Sequence, residues 1–393
     1  MACRDQPVTI LGAGVAGLAL ARALALRGAR VTLLDQTDAI REVGAGLQVS
    51  PNGAAVLKAL GLGAALEAAS IRAEAVELRD GLDGRLVTRL EVAKLRPEQG
   101  YHFTHRADLI ALLLEGARAA GVEIRLLQKA AGVDLSGPRP RITMATGAEV
   151  EAAILIGADG LHSPTREAMN GKVAPFFTHQ VAWRALVPCE PGAAAVAEVH
   201  MGPGKHLVSY PLRGGTLRNI VAVEERRRWV EEGWSLRDDP MELKLAFEDF
   251  GPRVRGWLDQ VEDVWLWGLF RHKVARTWHR AMPEGAVAIL GDAAHPTLPF
   301  LAQGANMALE DAWTLAKALD EGEMAGALAR WQAARAPRCA AIVEAANRNA
   351  RAYHLRGPLR GLAHLGLRLG GQVAPGLALS RFDWIYGQDV TRA

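Results

Sequence analysis

The chain has 393 residues, half of them hydrophobic and 23% charged, and a net charge of +3. That composition excludes a disordered chain, the small charge offers no basic face to nucleic acid, and no apolar run approaches the ~18 residues of a membrane span. The length argues for two domains, and with no signal peptide ahead of the first strand a cytoplasmic protein is expected.

In chain order, residues 7–11 form an apolar strand and Gly12-Ala13-Gly14-Val15-Ala16-Gly17 opens a helix over 15–26. Gly28 stops the helix, and a second strand over 30–34 ends at Asp35. This is a G-x-G-x-x-G turn in its working context. Gly12 makes the tight turn, Gly14 admits a pyrophosphate to the helix start, and Gly17 lets helix and strand pack closely. Asp35 stands 23 residues after Gly12, where an acid can hold a ribose hydroxyl. The pattern indicates a dinucleotide without separating FAD from NAD.

Arg41 then precedes Gly44-Ala45-Gly46-Leu47, a small-residue backbone that a ligand can approach closely. Ser50 and Pro51 read as the N-cap and first residue of a short helix. Residues 72–91 read as a two-stranded insertion. Arg106 lies in the first turn of a helix running to Ala120, where a cation does not help the dipole, so a phosphate is a candidate partner. Short strands follow near 123–128, 131–136 and 140–145. A strand over 152–156 ends in Gly157-Ala158-Asp159-Gly160, with Ser163 and Arg166 just after.

From about 176 to 280 alternating runs read as a sheet with one exposed face, and tryptophans concentrate there: Trp183, Trp229, Trp234, Trp257, Trp265, Trp267 and Trp278. At this density they build a core, and the same sheet can also cover a flat aromatic ligand. Arg226-Arg227-Arg228 is flanked by glutamates and reads as a solvated face. The strand over 285–289 ends in Gly291-Asp292, a loop holds Pro296 and Pro299, and Gly304-Ala305 starts a long helix. A carboxylate at a strand tip suits a polyol, and the unpaired N–H groups of a helix start suit an anion. The three cysteines, Cys3, Cys189 and Cys339, form neither a metal pattern nor a disulfide framework. The arginines and leucines from 357 to 379 allow a lipid-facing or homodimer contact as well as a plain capping pair.

Three fingerprints occur in order: GAGVAG at 12–17, GADGLHSPTR at 157–166 and GDAAHPTLPFLAQGANMALEDA at 291–312. With them the chain resembles the single-component FAD-dependent aromatic hydroxylases. REVGAGLQVSPN, HLVSYPLRGG, LPFLAQGANMALEDA and RFDWIYG make it most similar to the salicylate and 3-hydroxybenzoate 6-hydroxylase branch. The resemblance implies an α/β fold like that of 4-hydroxybenzoate hydroxylase. A discontinuous Rossmann-like FAD-binding domain (1–175 and 281–345) would carry a β-sheet substrate domain (176–280) and a helical C-terminal segment (346–393).

It also implies roles for residues. Gly12, Ala13, Gly14, Ala16, Gly17 and Asp35 would hold the ADP half of FAD, and Arg41 and Arg106 its diphosphate. Gly46 and Leu47 would give close backbone approach. Asp292 would bind the ribitol, and Gly304 and Ala305 would face the pyrimidine edge of the flavin. Asp159 and Arg166 belong to a motif serving both FAD and NAD(P)H. The substrate would meet His206, Tyr210 and Gln303; the branch often has a second histidine where this chain has Ser209. NAD(P)H would reduce the flavin and dioxygen would add to give a flavin hydroperoxide, which attacks a small phenol or N-heteroaromatic activated by His206 as base. A hydroxylase of a quinone precursor or a larger metabolite shares these fingerprints, and a non-catalytic flavin-binding protein is the reading from another class.

Overall fold

The structure is a computed structural model that describes residues 4–40, 45–226, 230, 232, 236–373 and 379–392. Among these residues the strand order of the first sheet is His279–Met282, Gly285–Ile289, Ile154–Gly157, Pro7–Leu11, Arg30–Leu34 and Glu123–Arg125. All but the antiparallel edge strand His279–Met282 run parallel. Their short apolar runs are buried on both faces, as crossover helices require. Leu11 pairs with Gly157 and Gly157 with Ile289, so three neighbouring strands end level. The three fingerprints therefore emerge side by side at the carboxyl ends of the sheet, where open α/β sheets bind ligands.

The second large sheet orders Arg237–Asp238, Val264–Arg271, Phe176–Pro188, Leu217–Glu225, Lys205–Leu212, Val196–Gly202, Ala75–Asp80 and Leu86–Leu90. The hairpin expected as an insertion in the cofactor domain is thus part of this sheet. Ala75–Asp80 pairs in parallel with Val196–Gly202, in the register Val196 to Ala75. One sheet face packs Val181, Trp183, Leu207 and Ile220 against Phe247, Phe250 and Trp257 from the helices Pro240–Ala246 and Pro252–Leu258 and the turn after the first. Alternation sends Ala182, Val208, Val221, Trp267 and Leu269 to the other face. Trp183, Trp257 and Trp278 are core residues and Trp267 borders the cavity described below. Trp229 and Trp234 lie outside the described residues.

The C-terminal helical region starts earlier than residue 346, because the helix Met324–Tyr353 runs unbroken through that position. The helix Gly357–Val373 follows, and its Arg360 and His364 both bond the Asp80 carboxylate of the hairpin. No helix among the described residues is long and apolar enough to cross a membrane.

Candidate active site

The glycine turn is built by close backbone contact. Gly12 takes φ +100°, and a Cβ there would strike the Ala158 carbonyl; a Cβ on Gly17 would strike the carbonyl of Gly12. The Ala13 N–H donates to the Asp35 carboxylate at 2.7 Å, and Thr37 donates to its other oxygen. Gly14 differs from its neighbours: nothing lies within 4 Å of where its Cβ would be. It is the N-cap of the helix Val15–Ala25, and no side chain caps that helix. Its first N–H groups are therefore presented to whatever occupies the space in front of them. The helix Gly304–Glu321 also begins without a side-chain cap or an acid in its first turn.

Both helix starts open on one cavity of about 670 Å³. Gly14, Ala16, Gly46, Leu47, Arg106, Asp292, Gly304 and Ala305 line it. Asp292 is exposed at its strand tip. Two uncapped helix starts, an open glycine and an exposed carboxylate are the donor and acceptor set that a flavin dinucleotide needs, and the residues fit that group.

Two expected residues, Asp159 and Arg166, do not line the cavity, and a third cannot be placed. Arg41 lies outside the described residues. Asp159 does not line the cavity: one carboxylate oxygen accepts from the Thr165 N–H and hydroxyl, and the other is buried with no hydrogen-bond partner among the described residues. Burial pushes its pKa up. Arg166 donates to the carbonyls of Ala293 and Lys273, and so clamps the middle fingerprint to the loop after Asp292.

The far side of the cavity is the open face of the large sheet. His206, Val208 and Tyr210 alternate toward it from one strand, beside Arg184 and Trp267, whose ring lies 3.9 Å beneath the Arg184 guanidinium. The Tyr210 ring packs 4.9 Å from Phe103, and burial pushes its pKa well up, so it stays a hydroxyl donor. Gly46 must be glycine here. A Cβ would stand 2.6 Å from Tyr210 Cε2 and 2.7 Å from Asn219 Cγ, while its N–H donates to Asn219 Oδ1 at 2.8 Å. This contact fixes the strand Gly46–Val49 against the large sheet.

His206 is buried beside Phe300 and Tyr353. Its Nδ1 meets His354 Nε2 at 2.7 Å, which leaves Nε2 for the cavity. Burial, followed by the nearby His354, holds its pKa well below the ordinary value, so the ring is neutral. Ser209, between His206 and Tyr210, faces the opposite side and accepts from Arg218 at 3.0 Å. Gln303 lines the cavity, but its amide donates to Ser50 Oγ at 2.9 Å and accepts from Asn52 at 3.2 Å. Ser50 occupies the expected N-cap position without capping; its hydroxyl donates to Asn52.

A profile of the FAD binding domain family matches residues 5–346. The chain belongs to the FAD-dependent aromatic hydroxylases. It is 33% identical to the 3-amino-4-hydroxybenzoate 2-monooxygenase of Streptomyces platensis, covering 97% of this chain and 95% of that one. It is 33% identical to the 3-hydroxybenzoate 6-hydroxylase of Polaromonas naphthalenivorans, covering 98% and 97%. A solved salicylate hydroxylase substrate complex shares the fold with a TM-score of 0.81 at 24% identity, covering 99% of this chain and 97% of the other.

Sequence reasoning missed the ionic cluster behind the cofactor side of this hydroxylase. Glu310 and Asp311, fully buried in the helix Gly304–Glu321, bond Arg335 at 2.6 and 2.8 Å. Arg338 bonds Glu310 at 2.8 Å, and His295 bonds Asp311. Burial alone would lower the His295 pKa; the neighbouring Cys339 and the Asp311 carboxylate raise it well above its usual value. Asp311 also accepts from the Gly291 N–H, and Glu310 from Asn52, so the cluster grips both the Asp292 tip and the loop holding Gln303. The available signal was an acid pair interrupting the apolar stripe of Ala308, Ala312 and Leu315. His354 was missed as well, because nothing local connects a helix-end histidine to a strand 148 residues earlier.

Proposed function

We propose that the chain is a cytoplasmic FAD-dependent monooxygenase that hydroxylates a small phenol of the hydroxybenzoate class, using NAD(P)H and dioxygen. The observation that carries this reading is the single cavity running from the Gly14 and Gly304 helix starts to His206 and Tyr210. Gly14, Ala16, Gly46, Leu47, Arg106, Asp292, Gly304 and Ala305 would hold FAD, and the Asp35-braced turn would orient its ADP half. When bound, FAD supplies the redox and oxygen-activating chemistry.

The chain's own residues do the rest. Arg184 brings positive charge to the sheet face, which suits a benzoate. Tyr210 donates a hydrogen bond to the substrate. His206 Nε2 accepts the phenol proton, because an electrophilic oxygen attacks a phenolate far more readily than a phenol. The neutral ring is in the right form to accept, and the phenolate it creates stabilises the imidazolium. Val208, Val221, Trp267 and Phe300 keep water from the reacting ring. Gln303 orients the substrate from the cavity wall, held there by its bonds to Ser50 and Asn52. The exposed leucines 359, 362, 365 and 369 fit a homodimer contact.

The test is NADH and NADPH oxidation by the yellow, FAD-loaded protein against a panel of hydroxybenzoates. One acid should stimulate oxidation and be recovered hydroxylated. His206→Ala should keep FAD, slow hydroxylation by about 10²-fold or more, and raise hydrogen peroxide release. Unchanged coupling in that variant removes His206 from the reaction.

A further inference from the structure

His206 is buried, so a proton taken from a substrate needs an exit before the site can turn over. The geometry points to one. We propose that His354 and Glu225 form a proton relay that carries the substrate's phenolic proton from His206 to the surface; this rests on His206 being the base. His354 ends the helix Met324–Tyr353 and is buried. Its Nε2 lies 2.7 Å from His206 Nδ1, and its Nδ1 lies 3.0 Å from Glu225 Oε1. The Glu225 side chain is 39% exposed, so the line of contacts begins at the cavity and ends in solvent.

The carboxylate sets the polarity of the whole line. Glu225 can only accept, so His354 carries its proton on Nδ1. His354 Nε2 then holds a lone pair, so His206 must donate from Nδ1. That leaves a lone pair on His206 Nε2, the ring nitrogen not bonded to His354. An exposed glutamate thus fixes the tautomer of a buried base two rings away.

Proton transfer balances at each ring. His206 Nε2 gains the phenol proton, and its Nδ1 proton passes to His354 Nε2. The His354 Nδ1 proton passes to Glu225 and on to water. The substrate ends one proton poorer, the solvent ends one richer, and no electron moves.

The surroundings support transfer over charge trapping. Besides Glu225 and His206, His354 meets Gln180 at 3.5 Å from the next strand, and Arg356 bonds the other Glu225 oxygen at 2.7 Å. His206 otherwise faces Phe300 and Tyr353. The His354 carbonyl accepts from the Gly204 N–H, so the ring is held from both ends.

The experiment mixes FAD-loaded protein with 3-hydroxybenzoate in weak buffer. It follows phenolate absorbance and, with an indicator dye, proton release. Wild type should release a proton as fast as phenolate forms. His354→Gln should keep FAD and bind the probe, release the proton at least about tenfold more slowly, and regain rate with added imidazole. A purely structural histidine would not be rescued in this way. Glu225→Gln, a surface change that leaves both histidines in place, should slow release similarly.

His206→Asn separates the two ideas. Phenolate still forming in His206→Asn would sink the base assignment itself. If His206→Asn abolishes phenolate while His354→Gln and Glu225→Gln release protons at the wild-type rate, the base stands and the relay is wrong. Should His354→Gln not fold, Glu225→Gln decides alone.

Discussion

Replacing Arg335 by Met removes a guanidinium that is 2% exposed and bonds two fully buried carboxylates, Glu310 at 2.6 Å and Asp311 at 2.8 Å. Removing one partner of a buried ion pair costs about 3–5 kcal/mol, because the charge left behind has lost its water. Arg338 still reaches Glu310 and His295 still reaches Asp311, so the lower end applies, about 3 kcal/mol. For a chain of this length unfolding entropy is about 0.8 kcal/mol per degree, which makes the loss about 4 °C in Tm. The melt should be followed by flavin fluorescence and by circular dichroism. Flavin release should precede unfolding, because Asp311 also holds the Gly291 N–H beside Asp292. Adding Glu310→Gln should recover part of the loss by removing a buried charge that is then paired with Arg338 alone. A shift under about 1 °C for Arg335→Met, or a second loss of full size in the double variant, would show that the cluster does not brace the site.

Gly46→Ala places a methyl group 2.6 Å from the Tyr210 ring and should cost about 1–3 kcal/mol of overpacking. Hydroxybenzoate titration should show about tenfold weaker binding. Asp292→Ala removes the exposed carboxylate at the strand tip; one charge-assisted hydrogen bond corresponds to roughly 10- to 100-fold in FAD dissociation constant, read by ultrafiltration. Burial works against the charge on Asp311, but His295 and Arg335 hold its pKa at about 2, below the ordinary 3.8. Its contribution, about 2 kcal/mol, is therefore full above pH 4 and is lost as pH falls toward 2. Melts from pH 5 to 2 should show a smaller acid loss for Asp311→Asn than for wild type.

What could be read from the sequence was local. Residues 7–11 and 30–34 were bounded by glycine and polar residues, and both strands form at those bounds. The three fingerprints were legible because each holds its own turn chemistry, and their meeting was implied by the resemblance that the three carry together. Contacts set by tertiary structure alone were not legible. Ala75–Asp80 read as an insertion because its partner strand begins 121 residues later. The bonds of Gln303 to Ser50 and Asn52 were not legible, because those partners lie some 250 residues away. The Glu310–Arg335 pair breaks the rule that charges face water, and only the folded packing of two helices shows why it is tolerated.

The parallel pairing of Val196–Gly202 with Ala75–Asp80 also limits how the protein can be cut. Residues 176–280 resemble a separable module, yet expressed alone they would carry a raw strand edge where the hairpin belongs, an invitation to intermolecular pairing. Any transplant of the large sheet into a relative must bring residues 75–90 with it, even though they are encoded ahead of its other strands.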